Sequence, residues 1–307
     1  RFGKIADLVR EAAFWAKKGG HATVTAQDVQ QAIEESRYRN NLTEERLQEL
    51  IVENTLLIDV AGNATGQINA LSALYLGDYS FGRPSRVTAS AFPGRAGVID
   101  VERQAKLGGP IHTKGVMIIS GFLGGRFGRC GPLSLSASLT FEQSYDEVEG
   151  DSASAAELLA LLSAISGIPL RQDRAITGSV NQHGQIQAIG GVNQKIEGFY
   201  AVCKAKGLTG DQGVIIPKSN VRSLMLSDEV IQAVAAGKFH IWPIESIDQA
   251  IGLLTGYEPG VLQADDTYPA GSFNRAVADR LASFAKTMET ATKDLQGMSS
   301  QAAISPE

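Results

Sequence analysis

The sequence predicts an α+β protein built on a mixed sheet. Period-two stretches and helical stretches alternate along the chain. Hairpin signals are frequent among them, which sets the pattern apart from a doubly wound parallel sheet. Thirty-three glycines among 307 residues call for many turns and close backbone approaches. The length suits one large domain or two ordinary ones.

The chain opens on helices. KIADLVREAAFWAKK (4–18) sets Ile5, Leu8, Val9, Ala12, Ala13 and Ala16 at helical spacing, and Gly19–Gly20 ends it. TVTAQDVQQAIEES reads as a second helix, with Thr25 as N-cap and Val29, Ala32 and Ile33 facing inward. Two such short helices bury too little alone and need a partner surface. A third, TEERLQELIVEN, follows from Thr43.

The period then changes to two. TLLIDVAG, GQINALSALYL and PSRVTASAF read as strands, and GVIDVERQAKLGG as a strand running into a loop. HTKGVMIISGFLGGRF returns to helical spacing and ends in glycines. LSLSASLTF alternates again and leads through EQSYDEVEGD into an apolar helix that starts at Ser152. In RQDRAITGSVNQHGQIQAIGG, two alternating runs flank Asn181–Gly184, a hairpin signal. VNQKIEGFYAVCKAKG is a helix, DQGVIIPKS a strand, SDEVIQAVAAG a helix, KFHIWPI a strand and SIDQAIGLLTG a closing helix. Beyond Gly256 the chain is loop-like. RAVADRLASFAKTMETATKDL follows as an amphipathic helix with Val277, Leu281, Phe284 and Met288 on one face, and 297–307 is expected to be disordered.

Composition excludes several classes. A net charge of −5 gives no support to a basic-patch nucleic-acid binder. No apolar run nears the roughly 20 residues of a membrane helix, and Val116 to Leu123 is far too short. The cysteines, Cys130 and Cys203, form no CxxC pair, and His21, His112, His183 and His240 are dispersed, so no metal site is expected. Without a secretory signal, the two thiols suit a reducing, cytoplasmic compartment. The glycine-rich GGRFGRCG and GGPIHTKG lack the Lys-Ser or Lys-Thr ending of a phosphate-binding loop, so ATP hydrolysis by that route is not expected.

The chemistry concentrates at EGDSAS, where Ser152 lies beside Glu149 and Asp151. Asp151 or Ser152 could cap the helix, or Ser152 could be a nucleophile at a helix N-terminus. The segment is not the GxSxG elbow of α/β-hydrolases, because Ser154 stands where the second glycine belongs. No histidine is placed to act as its base. A lysine can replace histidine only if it is neutral, which takes its pKa from about 10.4 towards about 7–8, roughly 4 kcal/mol against the charged form. Burial can supply this. Lys195 qualifies: it opens a helix continued by Ile196, Phe199 and Val202, and it follows Gly190–Gly191. The plain alternative is an exposed lysine on a helix face.

With these residues in view, the chain resembles the proteolytic domain of Lon proteases, in their LonB-like branch. FEQSYDEVEGDSAS is similar to the nucleophile segment, where LonB-like sequences carry GDSAS and the LonA branch GPSAG. PLRQDRAITGSVNQHGQIQAIGGVNQKIEG is similar to the following hairpin and lysine helix. The 43-residue interval from Ser152 to Lys195 is the family's. The resemblance runs from about Leu56 to Gly256. A weaker one, on LVREAAFWA and VTAQDVQQAI, relates residues 1–36 to the last helices of an AAA+ small domain, which fits a start at Arg1 inside a helical pattern.

The resemblance implies a Lon-type fold related to the second domain of ribosomal protein S5. It implies C-terminal helices of an AAA+ lid domain over 1–40, a protease domain over 41–256 and a C-terminal extension over 257–307, partly helical with a disordered end. It makes Ser152 the nucleophile and Lys195 its base. Thr177 orients the lysine, and backbone N–H groups around Ser152 form an oxyanion hole. Asp151 or Glu149 could pair with Lys195 in a latent state, because a carboxylate there favours the charged lysine. Cleavage of unfolded polypeptides, a homo-hexamer, and ATP with Mg for an ATPase part outside this chain are expected on the same ground, with no cofactor in the chain itself. A non-catalytic Lon-like binding or assembly domain is the competing reading, and retention of both Ser152 and Lys195 argues against it. An amidase with another kind of Ser–Lys centre would need a further activating serine motif that the sequence does not offer.

Overall fold

The computed structural model describes residues 2–77, 79–131 and 133–302. Two compact units are present, Arg1–Leu56 with Tyr75–Phe81, and Leu57–Leu74 with Gly82–Glu307.

The first unit carries α1 (Phe2–Lys18), α2 (Ala26–Asn40) and α3 (Leu42–Val52). Thr25 caps α2 as its sequence position predicts, and Asp28 completes a capping box by accepting from the Thr25 N–H at 2.8 Å. The small side chains Ala12, Ala16 and Ala32 form the α1–α2 contact and are buried. Ile5, Val9 and Ile33, expected inside, are exposed. The close approach through alanines leaves the bulkier residues on the outer side of each helix.

The second unit is built on a mixed seven-stranded sheet. Its elements run β1 (Asn63–Ala64), β2 (Gln67–Leu76), β3 (Tyr79–Pro93), β4 (Gly97–Asp100), α4 (Val101–Gln104), α5 (Pro110–Phe127) and β5 (Leu135–Phe141). Next come α6 (Ser154–Ser166), β6 (Leu170–Arg171), β7 (Arg174–Ile176), β8 (Ser179–Val180), β9 (Ile186–Gln187) and α7 (Val192–Lys206). The chain closes with β10 (Gly213–Pro217), α8 (Asp228–Ala235), β11 (His240–Ile244), α9 (Ile247–Thr255) and α10 (Phe273–Ala302). The sheet order is β11-β10-β7-β2-β3-β5-β4. The half from β11 to β2 is parallel, and β3–β5 is antiparallel. The predicted mixed sheet is therefore present, although hairpins account for less of it than the sequence implies.

TLLIDVAG is not a strand. Ile58 and Val60 are buried with the alternation that suggested one, but their carbonyls are taken by side chains. Lys206 Nζ donates to Ile58 O at 2.7 Å, Asn69 Nδ2 to Asp59 O at 2.8 Å and Gln212 Nε2 to Val60 O at 3.3 Å. Side-chain donors satisfy the backbone here instead of a ladder.

α6 is the central helix and is buried nearly all round, the mark of a helix packed on every side. α5, α9, α10, β5 and β8 surround it. α10 lays Phe273, Val277, Leu281 and Phe284 into the same core. The extension beyond Gly256 thus packs within its own unit. The helix continues through 297–302, where disorder was expected, and 303–307 lie outside the described residues. Cys203 is free and buried, and the side chain of Cys130 lies outside the described residues. Among the described residues, no helix is long and apolar enough to cross a membrane.

Candidate active site

Ser152 lies in the turn ahead of α6. Gly150 has φ +91°, a left-handed conformation that favours glycine, and it turns the chain into Asp151–Ser152. The helix begins at Ser154, two residues later than the sequence pattern suggests, with Ala153 at the N-cap position and no side-chain cap. Neither Asp151 nor Ser152 caps it. The cause is a stitch to the segment joining β7 and β8. The Ser152 carbonyl accepts from Gly178 N at 2.8 Å and from the Thr177 hydroxyl at 3.2 Å, and Ala155 N donates to Gly178 O at 3.1 Å. These bonds replace the first helical ones and hold the turn open. The N–H groups of Ser152 and Ala153 meet no acceptor among the described residues.

Lys195 reaches the turn from the first turn of α7. Gly191, at the N-cap with φ +67°, starts that helix, and Gly190, read from sequence as a close backbone approach, lies in open space. A second glycine pair sets its depth. A Cβ on Gly198 would meet Gly82 O at 2.0 Å, and one on Gly82 would meet Gln194 O at 2.0 Å. Only backbone against backbone lets α7 lie this close to β3. Lys195 is consequently buried, with 3% exposure. Its Nζ lies 2.8 Å from Ser152 Oγ and 3.1 Å from Thr177 Oγ1. Burial pushes the amine down to about 8, against an opposing pull from Asp151.

The hydrogen-bond directions are fixed by elimination. Thr177 is fully buried and gives its proton to the Ser152 carbonyl. Its oxygen can then only accept, and it takes one lysine N–H. With one N–H given to Thr177, a neutral amine 2.8 Å from Ser152 Oγ is able to present its lone pair to that hydroxyl.

The carboxylates stand elsewhere. Asp151 Oδ2 accepts from Ser179 Oγ at 2.8 Å. Glu149 Oε1 accepts from Ile111 N at 3.4 Å at the start of α5, in space left by Gly109, where a Cβ would meet Glu149 Oε2 at 1.6 Å. Among the described residues neither carboxylate forms an ion pair with Lys195. Each acid has a donor of its own, Ser179 for Asp151 and Ile111 N for Glu149.

The arrangement suits a serine nucleophile with a lysine base. Residues 147–255 match the Lon protease (S16) C-terminal proteolytic domain, a serine peptidase class, and residues 1–39 match the archaeal LonB AAA+ ATPase LID domain. The chain belongs to the Lon protease family. It is 46% identical over 234 residues to a Lon protease homolog of Escherichia coli (strain K12), covering 76% of this chain and 40% of the relative. A Lon protease homolog of Haemophilus influenzae is 39% identical over 280 residues, 91% of this chain and 46% of the relative. The archaeal Lon protease of Thermococcus kodakarensis is 32% identical over 254 residues, 82% of this chain and 37% of the relative. The chain therefore spans less than half the length of each.

The sequence reading brought Ser152, Lys195 and Thr177 together. It missed Gly82, Gly198 and Ser179. Gly198 carried a signal, as an isolated glycine inside a helical pattern implies a packing reason. Ser179 carried none, since its partner lies 28 residues away in sequence.

Proposed function

We propose that this chain is a serine endopeptidase unit that cleaves peptide bonds through a Ser152–Lys195 dyad. The observation that carries this is the 2.8 Å approach of a buried Lys195 amine to the Ser152 hydroxyl. Neutral Lys195 takes the Ser152 proton as Oγ attacks the scissile carbonyl. The Oγ–C bond forms, and the carbonyl electrons move onto oxygen. The free N–H groups of Ser152 and Ala153 are suited to receive that oxyanion near the positive end of α6. On collapse, the C–N bond breaks and Lys195 returns its proton to the leaving amine. Water, deprotonated by the same lysine, then releases the acyl group.

The wider reading follows the family. Substrates are unfolded or damaged polypeptides in cytoplasmic quality control. The longer protein assembles as a homo-hexamer, and ATP with Mg drives an ATPase part that would lie outside this chain. The protease names of the relatives and the lid-domain match at residues 1–39 support the protease and ATPase parts of this reading.

The test is hydrolysis of a short fluorogenic peptide, without ATP, by this chain and by Lys195→Ala. Cleavage lost by about 10³-fold or more in the variant supports the dyad. Cleavage unaffected by the variant, or absence of Ser152-dependent labelling by a peptide boronate, refutes it.

A further inference from the structure

Ser179 is buried, with 4% exposure, on β8 beyond Thr177. Its hydroxyl gives its proton to Asp151 Oδ2 at 2.8 Å, and its oxygen lies 3.2 Å from the side-chain amide of Gln187 on β9. Asp151 is the residue before the nucleophile. The strand that holds Thr177 against Lys195 thus continues into the residue that holds Asp151.

Few charged residues stand next in sequence to the groups that meet Lys195. Glu149 and Asp151 lie in the turn, Arg83 follows Gly82 on β3, and Glu197 lies on α7. Glu149 is engaged by Ile111 N and Glu197 by Ser227 N. Among the described residues, only Asp151 pulls on the lysine's charge. A carboxylate in direct contact with an ammonium raises its pKa by about 1–3 units. That would remove the neutral base near neutral pH.

We propose that Ser179 is a positioning residue for the dyad: by anchoring Asp151 it keeps this carboxylate off Lys195 and leaves the lysine paired with hydroxyls. This rests on the Ser–Lys reading above. The hydroxyl at 179 thus sets the pH at which the dyad becomes active, although it touches neither substrate nor the reacting atoms. Released from it, the Asp151 carboxylate is free to turn toward Lys195, whose charge it already favours, and holds the lysine in its protonated form.

The experiment compares wild type, Ser179→Ala, Ser179→Thr and Ser179→Ala/Asp151→Asn in this chain. Two quantities are read against pH: kcat/KM for the fluorogenic peptide, and the ¹³C shift of the Lys195 Cε carbon in lysine-labelled protein. The anchor predicts that Ser179→Ala moves both the acidic limb and the lysine titration upward by about one unit. Ser179→Thr, which keeps the hydroxyl, restores both. Asp151→Asn in the Ser179→Ala background also restores both, because no carboxylate remains to pair. A lysine titration unmoved in Ser179→Ala overturns the proposal, as does a shift that survives Asp151→Asn. Loss of the Ser–Lys reading has a separate signature, absence of Ser152-dependent hydrolysis in wild type, and the carbon titration still decides the role of Ser179.

Discussion

Two nitrogen bases are buried in the same unit, and their surroundings give them opposite fates. Lys195 faces two hydroxyls, Ser152 and Thr177. His112, on α5, faces carboxylates. Its Nε2 lies 2.8 Å from Glu157 on α6, and its Nδ1 lies 3.6 Å from Asp100 Oδ2. Glu102 is close by, accepting from Phe141 N at 2.7 Å and from Thr140 Oγ1 at 2.9 Å. Burial alone would lower the imidazole's pKa, but the Glu157 hydrogen bond and the three acids outweigh it and raise the value. At Lys195 burial prevails, and the amine falls to about 8. A buried base partnered by neutral hydroxyls is available for proton transfer. One ringed by carboxylates is shifted toward its charged form and links α5 to α6 through Glu157. α6 carries both situations, with the Ser152 turn at its head and Glu157 in its first turn.

The largest effect expected is on catalysis. Ser152→Ala and Lys195→Ala each reduce peptide hydrolysis by about 10³-fold or more, while circular dichroism stays native. Equal activity in either variant breaks the assignment of the hydroxyl-lined pocket as the reactive one. Next is the acid-ringed pocket. His112→Leu leaves Asp100, Glu102 and Glu157 without their cation and destabilises the fold by about 3–5 kcal/mol, read by urea unfolding. A change below about 1 kcal/mol would show that these carboxylates do not need the imidazole.

The opposite sign is expected for stability at the lysine. Its folded pKa is depressed, so the burial penalty is complete below about pH 8 and fades as pH rises to the ordinary lysine value of about 10.4. Lys195→Met therefore stabilises the chain at pH 7 by up to about 3 kcal/mol, with less gain at pH 10. At His112 the folded pKa is raised. Its contribution is complete below about pH 6.5 and is lost as pH climbs through the raised value. Urea midpoints of wild type and His112→Leu should therefore converge as pH rises above neutrality. The smallest effect belongs to Thr177→Val, which removes the acceptor that aims the lysine. About a tenfold fall in kcat with KM nearly unchanged is expected. A fall in KM alone would place Thr177 outside the dyad's support.

Much of this contrast was readable in the chain. Ser152 and Lys195 stand in strong local patterns, and the lysine's burial follows from the apolar face of Ile196, Phe199 and Val202. The helix start at Ser152 was misread because the bonds that delay it come from Gly178 and Thr177, about 25 residues on. The strand over 55–62 was misread because alternating burial does not say whether side chains or a neighbouring strand satisfy the carbonyls. The His112 cluster draws on α4, α5, α6 and the residue before α4, and no spacing along the sequence brings these together.

The most direct measurement is the titration of Lys195 in the wild-type chain by ¹³C NMR of labelled lysine, with the resonance assigned by its absence in Lys195→Met. A midpoint near 8, well below the solvated lysines of the same sample, is the predicted result. A midpoint at the ordinary lysine value would contradict the account, because the amine beside Ser152 would then be an ammonium with no lone pair to take the serine's proton.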